Sequence, residues 1–355
     1  MQKILLIQTA FIGDVVLATA LLETLHEKYP QASIDIIVRQ GNESLFNEHP
    51  IIGELIVWNK NQNKYLHWLQ VLQKIRAKKY DLLINLQRFA ATGLWTVLSK
   101  ATTTIGFDKN PFSFLFTHSV KHDVTKNGVH EVNRNHKLTE SLGALKLCMP
   151  KLYPTASDFD KVKKYQTEKY ISIAPASVWF TKQFPISAWV SFIQALPFDG
   201  TIYILGGPGD KNLGDRIIDE VSSSNSNTSN SSNISSASNL SSTSKKIINL
   251  SGELSFLASA ALQQKAVLNY VNDSAPLHFC SAMNAPVVAI YCSTVPAFGF
   301  GPLSTQSYIV ETQEKLTCRP CGLHGKKQCP LGHFNCAKTI ANNQLIAPLL
   351  QMAQH

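Results

Sequence analysis

Two strand-to-helix junctions, roughly 260 residues apart, constrain this chain more than any other feature. The first runs from Lys3-Ile4-Leu5-Leu6-Ile7-Gln8 into the turn Thr9-Ala10-Phe11-Ile12-Gly13-Asp14. The second is Asn272-Asp273-Ser274-Ala275-Pro276-Leu277-His278, set between an apolar strand and an apolar helix. Open α/β sheets bind ligands at such junctions, outside the C-terminal ends of the strands. Two of them, in two halves, predict two Rossmann-like domains facing each other across a cleft. One side supplies a carboxylate and the other holds a charged cosubstrate, which is the layout of a group-transfer enzyme.

Hydrophobic periodicity carries the same expectation along the chain. Strands are predicted at Lys3–Gln8, Ser33–Val38, Glu54–Trp58, Asp81–Leu86 and Thr103–Phe107. Between them Val15, Ala18, Leu22 and Leu25 share one face of a helix opened by Asp14, and residues 66–78 form a second helix. A second series has strands at Tyr170–Ala174, Thr201–Leu205, Lys246–Leu250, Ala266–Val271 and Pro286–Tyr291, with helices at Ile186–Leu196, Leu254–Gln264, Ala275–Met283 and Thr339–Ala353. Alternating strands and helices give parallel sheets. The expected organisation is a first domain over 1–150, a polar linker over 151–169, a second domain over 170–338, and a final helix over 339–355 that packs back on the first domain. The run Ser222–Ser244, almost entirely Ser and Asn, buries too little apolar area to offset its ordering entropy and is expected to be a disordered surface insertion.

Composition narrows the function classes. No apolar run is long enough to span a bilayer and the N-terminus does not read as a signal peptide, so a cytoplasmic protein is expected, with a peripheral place on the inner face of the membrane also open. A formal charge of +9 suits a phosphorylated substrate, an anionic membrane surface or nucleic acid. No nucleic-acid-binding module accompanies it, so nucleic acid is not expected as a partner. Seven cysteines in such a chain argue against a disulfide framework, and Cys148, Cys280 and Cys292 are expected to be small core residues.

Each candidate residue carries two readings. Asp14 either caps a helix or acts as a general base, with Gly13 permitting close backbone approach. Lys182, ahead of Phe184-Pro185, is either solvated or meets a phosphate as a point charge. Gly206-Gly207 is either a tight turn or a ligand contact. Asp273 or Ser274 can cap the following helix, whose free amides make an anion site, and Ser274 and His278 lie on one helical face. That combination favours a diphosphate site over a structural histidine. Cys318, Cys321, Cys329 and Cys336, with His324 and His333 between them, fit a structural zinc site, free thiols or a disulfide.

These stretches, with His130-Glu131-Val132-Asn133-Arg134-Asn135, Ala174-Pro175 and Lys182 before Phe184-Pro185, occur in an order that resembles glycosyltransferase family 9, the lipopolysaccharide heptosyltransferase family with a GT-B fold. The resemblance implies Asp14 as catalytic base, Lys182 on the donor diphosphate with Ser177 close by, and Asp273, Ser274 and His278 around the donor sugar and phosphates. It implies an inverting transfer without a cofactor, from a nucleotide-sugar donor such as ADP-heptose to a lipid-linked oligosaccharide acceptor at the inner membrane surface. Two departures stand out: Ala275 where the family usually has Gly, and Cys292-Ser293 where it has Gly-Pro before Thr. Another nucleotide-sugar donor, or a nucleotide-sugar epimerase of the same fold, is the alternative.

Overall fold

The chain was analysed as a computed structural model, whose described residues are 1–61, 63–123, 128–227 and 245–353, with 225–227 described as backbone. They divide into two units: Met1–Thr155 with Ala297–Gly301, and Ala156–Pro296 with Pro302–His355.

The first unit contains β1 (Lys3–Ile7), α1 (Ile12–Lys28), β2 (Ser33–Arg39), β3 (Ile52–Trp58), α2 (Lys64–Lys78), β4 (Leu82–Asn85), α3 (Ala90–Leu98), β5 (Thr103–Phe107), β6 (His118–Val120) and α4 (Glu131–His136). Its sheet is wholly parallel, in the order β3-β2-β1-β4-β5-β6. Strands covered on both faces must be apolar throughout, and β1 and β4 read so: Ile4 to Ile7 and Leu82 to Ile84 are fully buried. One face packs Leu5, Ile7 and Leu83 against Val71 and Ile75 of α2 and Trp95 of α3.

The second unit contains α5 (Ala156–Lys163), β7 (Tyr170–Ala174), α6 (Ile186–Ala195), β8 (Thr201–Ile204), α7 (Lys211–Asn227), β9 (Ile247–Asn249), α8 (Phe256–Gln264), β10 (Asn269–Asn272), α9 (Ala275–Met283), β11 (Val287–Tyr291), β12 (Ser307–Glu311), α10 (Asn335–Lys338) and α11 (Asn342–Met352). Its sheet is also parallel, ordered β12-β11-β10-β7-β8-β9. Counted within its own half, this is the same winding as in the first unit. In each sheet the strand order reverses once, between β1 and β4 and between β7 and β10. Those switch points open the crevice in which doubly wound folds bind ligands.

Several expectations change. The 151–169 linker contains α5, whose Val162 is fully buried in the core with Leu262 and Leu277. The final helix, expected on the first domain, is part of the second unit: Leu345 and Leu349 join the core of Trp189 and Phe192. The Ser/Asn run begins as helix, since α7 continues to Asn227 and the hydroxyls of Ser222, Ser223 and Ser224 donate to carbonyls one turn back. Residues 228–244 of that run lie outside the described residues. Two edge strands, β6 and β12, were not expected from the pattern.

Candidate functional site

At the switch point of the second sheet, Asn272 closes β10 fully buried. Its Nδ2 donates to Pro175 O at 2.6 Å, and its Oδ1 accepts from Phe184 N at 3.1 Å. One side chain thus ties the exit of β7 to the segment that carries Lys182. The next residue, Asp273, is 6% exposed. Its Oδ2 lies 2.7 Å from Lys182 Nζ and accepts from Thr294 Oγ1 at 2.6 Å. A carboxylate so far from water is tolerable only when charge and hydrogen bonds compensate its lost hydration, and Lys182 with Thr294 supplies both. An ammonium has three donors, so one turned to Asp273 leaves two for an anion. Sequence reasoning gave Lys182 and Asp273 separate roles; the structure makes them one ion pair.

Ser274 is the N-cap of α9, in extended backbone, and its side chain makes no capping bond. Its Oγ points back to Asn272 O at 3.4 Å. The anion-binding capacity of this helix start is smaller than the sequence reading supposed. Pro276 has no N–H, and Leu277 N already donates to Ser274 O at 3.1 Å. Ala275, half-buried, is the first helical residue, and His278 is buried one turn on at 4% exposure. The positive charge of Lys182 therefore matters more here than the helix terminus.

Gly206 and Gly207 form a tight turn. Gly207 N donates to Asp210 Oδ2 at 2.8 Å, and a Cβ on Gly206 would lie 2.8 Å from Asp210 Cβ. The half-buried Ser177 turns its carbonyl to Gln183 Nε2 at 2.7 Å, which anchors the residue after Lys182. A hollow of about 350 Å³ lies nearby, lined by Pro185, Ser187, Ala188 and Asn342 among others; neither Lys182 nor Asp273 lines it.

In the first unit, Asp14 is the third residue of α1 and Gly13 the second. The N-cap is Phe11, so Asp14 is not the cap that the sequence suggested; it stands in the first turn, where the helix dipole favours a negative charge. Its neighbour in the field is Arg39, at the end of β2. Burial lowers the Arg39 pKa and the Asp14 carboxylate opposes that fall. The guanidinium carbon sits 4.5 Å from the Phe11 ring centre. Lys60 is also lowered, first by burial and then by the charges of Arg39 and Lys64. A carboxylate with a guanidinium near it at the C-terminal edge of a parallel sheet can take a proton, while the cation can hold an anionic group nearby. Arg39 was missed, although a lone cation closing the apolar strand Ser33–Arg39 is a visible signal. Thr294 was missed too, and its signal is a hydroxyl just beyond β11.

The His130–Asn135 stretch is structural in its contacts. His130 Nδ1 accepts from Val132 N at 3.2 Å and so caps α4. Arg134, 3% exposed, pairs with Glu131 at 2.6 Å and donates to Phe298 O at 3.1 Å. Residues Ala297–Gly301 thereby belong to the first unit.

All seven cysteines are free thiols. Cys280 and Cys292 are fully buried as expected, whereas Cys148 is half-buried and its Sγ donates to Glu27 Oε2 at 3.0 Å, so it is not a core residue. Cys318 Sγ lies 3.9 Å from His333 Nε2. Among the described residues no group of three or more His, Cys, Asp or Glu side chains is arranged to hold a metal ion. Burial pushes the Cys336 thiol up to about 11 and also raises Cys321. Among the described residues no helix is long and apolar enough to cross a membrane.

Comparison with known proteins matches the chain, over residues 68–333, to the family described as glycosyltransferase family 9 (heptosyltransferase). Lipopolysaccharide heptosyltransferase 3 of Escherichia coli K12 is 27% identical over 305 residues, covering 81% of each chain. The fold is shared with a family 9 glycosyltransferase from Veillonella parvula, at a TM-score of 0.79 and 20% identity over 99% of this chain and 97% of that one. It is also shared with the E. coli heptosyltransferase WaaC, solved with ADP-2-deoxy-2-fluoro heptose, at a TM-score of 0.70 and 16% identity over 99% of both chains. The α/β architecture with two parallel six-stranded sheets is thus the GT-B-like one of solved heptosyltransferases. With its family matched over more than half its length, the chain belongs to glycosyltransferase family 9 and is a glycosyltransferase of the lipopolysaccharide heptosyltransferase-like kind.

Proposed function

We propose that this enzyme moves heptose from ADP-heptose to a lipid-linked lipopolysaccharide core acceptor, with inversion at the anomeric carbon. The observation that carries the donor side is the Lys182–Asp273–Thr294 group at the second sheet's switch point. Lys182 meets the diphosphate, where negative charge grows as the sugar departs. Ser274, Ala275, His278, Ser177, Gly206 and Gly207 surround the donor. In the first unit, Asp14 takes the proton of the acceptor hydroxyl as its oxygen attacks the anomeric carbon. The C–O bond to ADP breaks as the new one forms, and no covalent intermediate is needed. The charge of +9 suits an acceptor held on an anionic membrane surface.

Purified protein with ADP-heptose and a lipid-linked acceptor should release ADP, and Asp14→Ala should lose about 10²–10⁴-fold in turnover while still binding ADP. Near-normal turnover in that variant reduces Asp14 to a helix-terminus charge. Turnover of the nucleotide sugar with no acceptor present would replace the transfer by the epimerase reading. Mass spectrometry of lipopolysaccharide from a deletion strain names the sugar, because the chain stops where the missing residue belongs.

A further inference from the structure

The cysteine-rich segment Cys318–Cys336 is not absorbed by the transfer chemistry, yet it is fastened to the residues on either side of the Lys182–Asp273 pair. Thr181, 1% exposed, is the hub. Its N donates to Lys326 O at 3.1 Å, and its Oγ1 accepts from Lys326 N at 2.8 Å and from Ser293 Oγ at 2.9 Å. Ser293 N donates to Thr181 O at 3.2 Å, and Ser293 O accepts from Cys321 N at 3.0 Å. Arg319 reaches the same strand exit, with Nε on Cys292 O at 2.7 Å and Nη2 on Thr294 O at 2.7 Å.

These bonds form a two-rung ladder. Thr181 meets Ser293 on one rung; one residue further along each segment, Lys182 and Thr294 meet on the two sides of Asp273 Oδ2. The segment also touches the lysine itself. Gly325 stands at φ +76, and a Cβ built on it would lie 2.9 Å from Lys182 Cγ, 3.2 Å from Thr181 Oγ1 and 3.2 Å from Trp179 Cβ. Its bare backbone is therefore a wall along the lysine's methylene stem. A lysine left to itself samples many rotamers and loses them on binding an anion. Here the wall and the ladder remove that freedom in advance.

We infer that the cysteine-rich segment is a positioning element for Lys182, holding its ammonium at Asp273 and ready for an anionic donor. The inference rests on the reading that Lys182 meets the donor diphosphate. Thr181, Ser293 and Gly325 are positioning residues, since they act through the lysine.

The test uses the full chain with ADP as probe. Thr181→Val removes the Oγ1 acceptor at nearly constant volume, Thr181→Ser keeps it, and Ser293→Ala serves if the valine variant does not fold by its melting curve. Three quantities are measured: ADP affinity by calorimetry, the rate of Cys321 alkylation by iodoacetamide, followed by mass spectrometry, and the steady-state kinetics toward the donor. The expected result for Thr181→Val is faster labelling of Cys321 and ADP binding weakened roughly three- to tenfold, the range for freeing one long side chain at a binding site. Donor KM should rise with kcat little changed, and Thr181→Ser should match the wild type in all three. Faster labelling with unchanged ADP affinity overturns the inference, because the segment would then be tethered without positioning the lysine. Unchanged labelling overturns it as well, because the rung would not hold the segment. Wild-type protein that fails to bind ADP would sink the donor reading first, and this inference with it.

Discussion

Lys182 and Asp273 illustrate how tightly function and stability are joined at single residues. Removing the lysine strands a nearly buried carboxylate that keeps the Thr294 hydroxyl bond but loses its paired cation. Lys182→Ala should therefore weaken ADP binding and also cost about 3 kcal/mol of stability, as for other broken buried pairs. Adding Asp273→Asn should recover part of the melting temperature without recovering ADP affinity. Equal melting of the single and double variants would mean that water already reaches the carboxylate. His49 makes a separate case. It packs against Phe46 and Tyr153, its Nδ1 accepts from Ile51 N at 3.3 Å, and its Nε2 has no hydrogen-bond partner among the described residues. Burial, then the charge of Lys151, lowers its pKa to about 4 from an ordinary 6.5. The unfolded chain takes up this proton more readily, so stability is full above about pH 6.5 and falls as pH drops toward 4, by about 3 kcal/mol at most. Urea melts across that window should show the slope in the wild type and a flatter one in His49→Phe.

At the scale of elements, the central strands and the edges β3 and β9 were legible, whereas the edge strands β6 and β12 were not. Ile4–Ile7 is an unbroken apolar run, and Tyr170–Ala174 is fully buried with Ser172 as its one polar residue, because helices cover both their faces. Ser307–Glu311 and His118–Val120 lie at sheet edges, half in water; the first has only three apolar residues between polar ends and the second only one. The helix Ala156–Lys163 was hidden because only Val162 on it is buried. Asp273 and Lys182 were each legible from their place beside a strand exit; their pairing was not, because 91 residues separate them and only the β7–β10 neighbourhood brings them together. The α7 tail sharpens one expectation. If composition is the guide to residues 228–244, replacing them with a short Gly-Ser linker should leave melting temperature and turnover close to the wild-type values, since the length of a flexible connection costs little. Extending the replacement back to Ser222 removes the last six residues of α7, three of which back-bond to their own turn, and should lower the melting temperature measurably. A large effect of the shorter replacement would show that the Ser/Asn run has contacts of its own.

For the molecule as a whole, the same winding is used twice, but the first unit is not built from one continuous stretch. Ala297–Gly301 completes it, and Gly299 is the tight point. At φ +94, a Cβ there would lie 2.3 Å from Val129 O and 2.6 Å from Arg134 Nη1. Gly41 has a similar φ of +97 with nothing within 4 Å of its built Cβ. Gly41→Ala should show the backbone strain alone, about 1 kcal/mol, and Gly299→Ala that strain plus the clash, about 3 kcal/mol or more. Similar melting of the two variants would mean that the 297–301 stretch moves aside without cost.

That stretch also sets an order of events during synthesis. After Thr155 emerges, the ribosome must add roughly 150 further residues before Phe298 and Gly299 exist, which takes about 10–30 s at ordinary translation rates. Throughout that interval the Arg134 guanidinium, destined for the interior, lacks the Phe298 carbonyl, and the Glu131 amide lacks the Gly299 carbonyl it will use at 2.8 Å. The N-terminal half is made first yet finished late. A nascent chain arrested before residue 298 should be more open to protease around α4 than one arrested after 301.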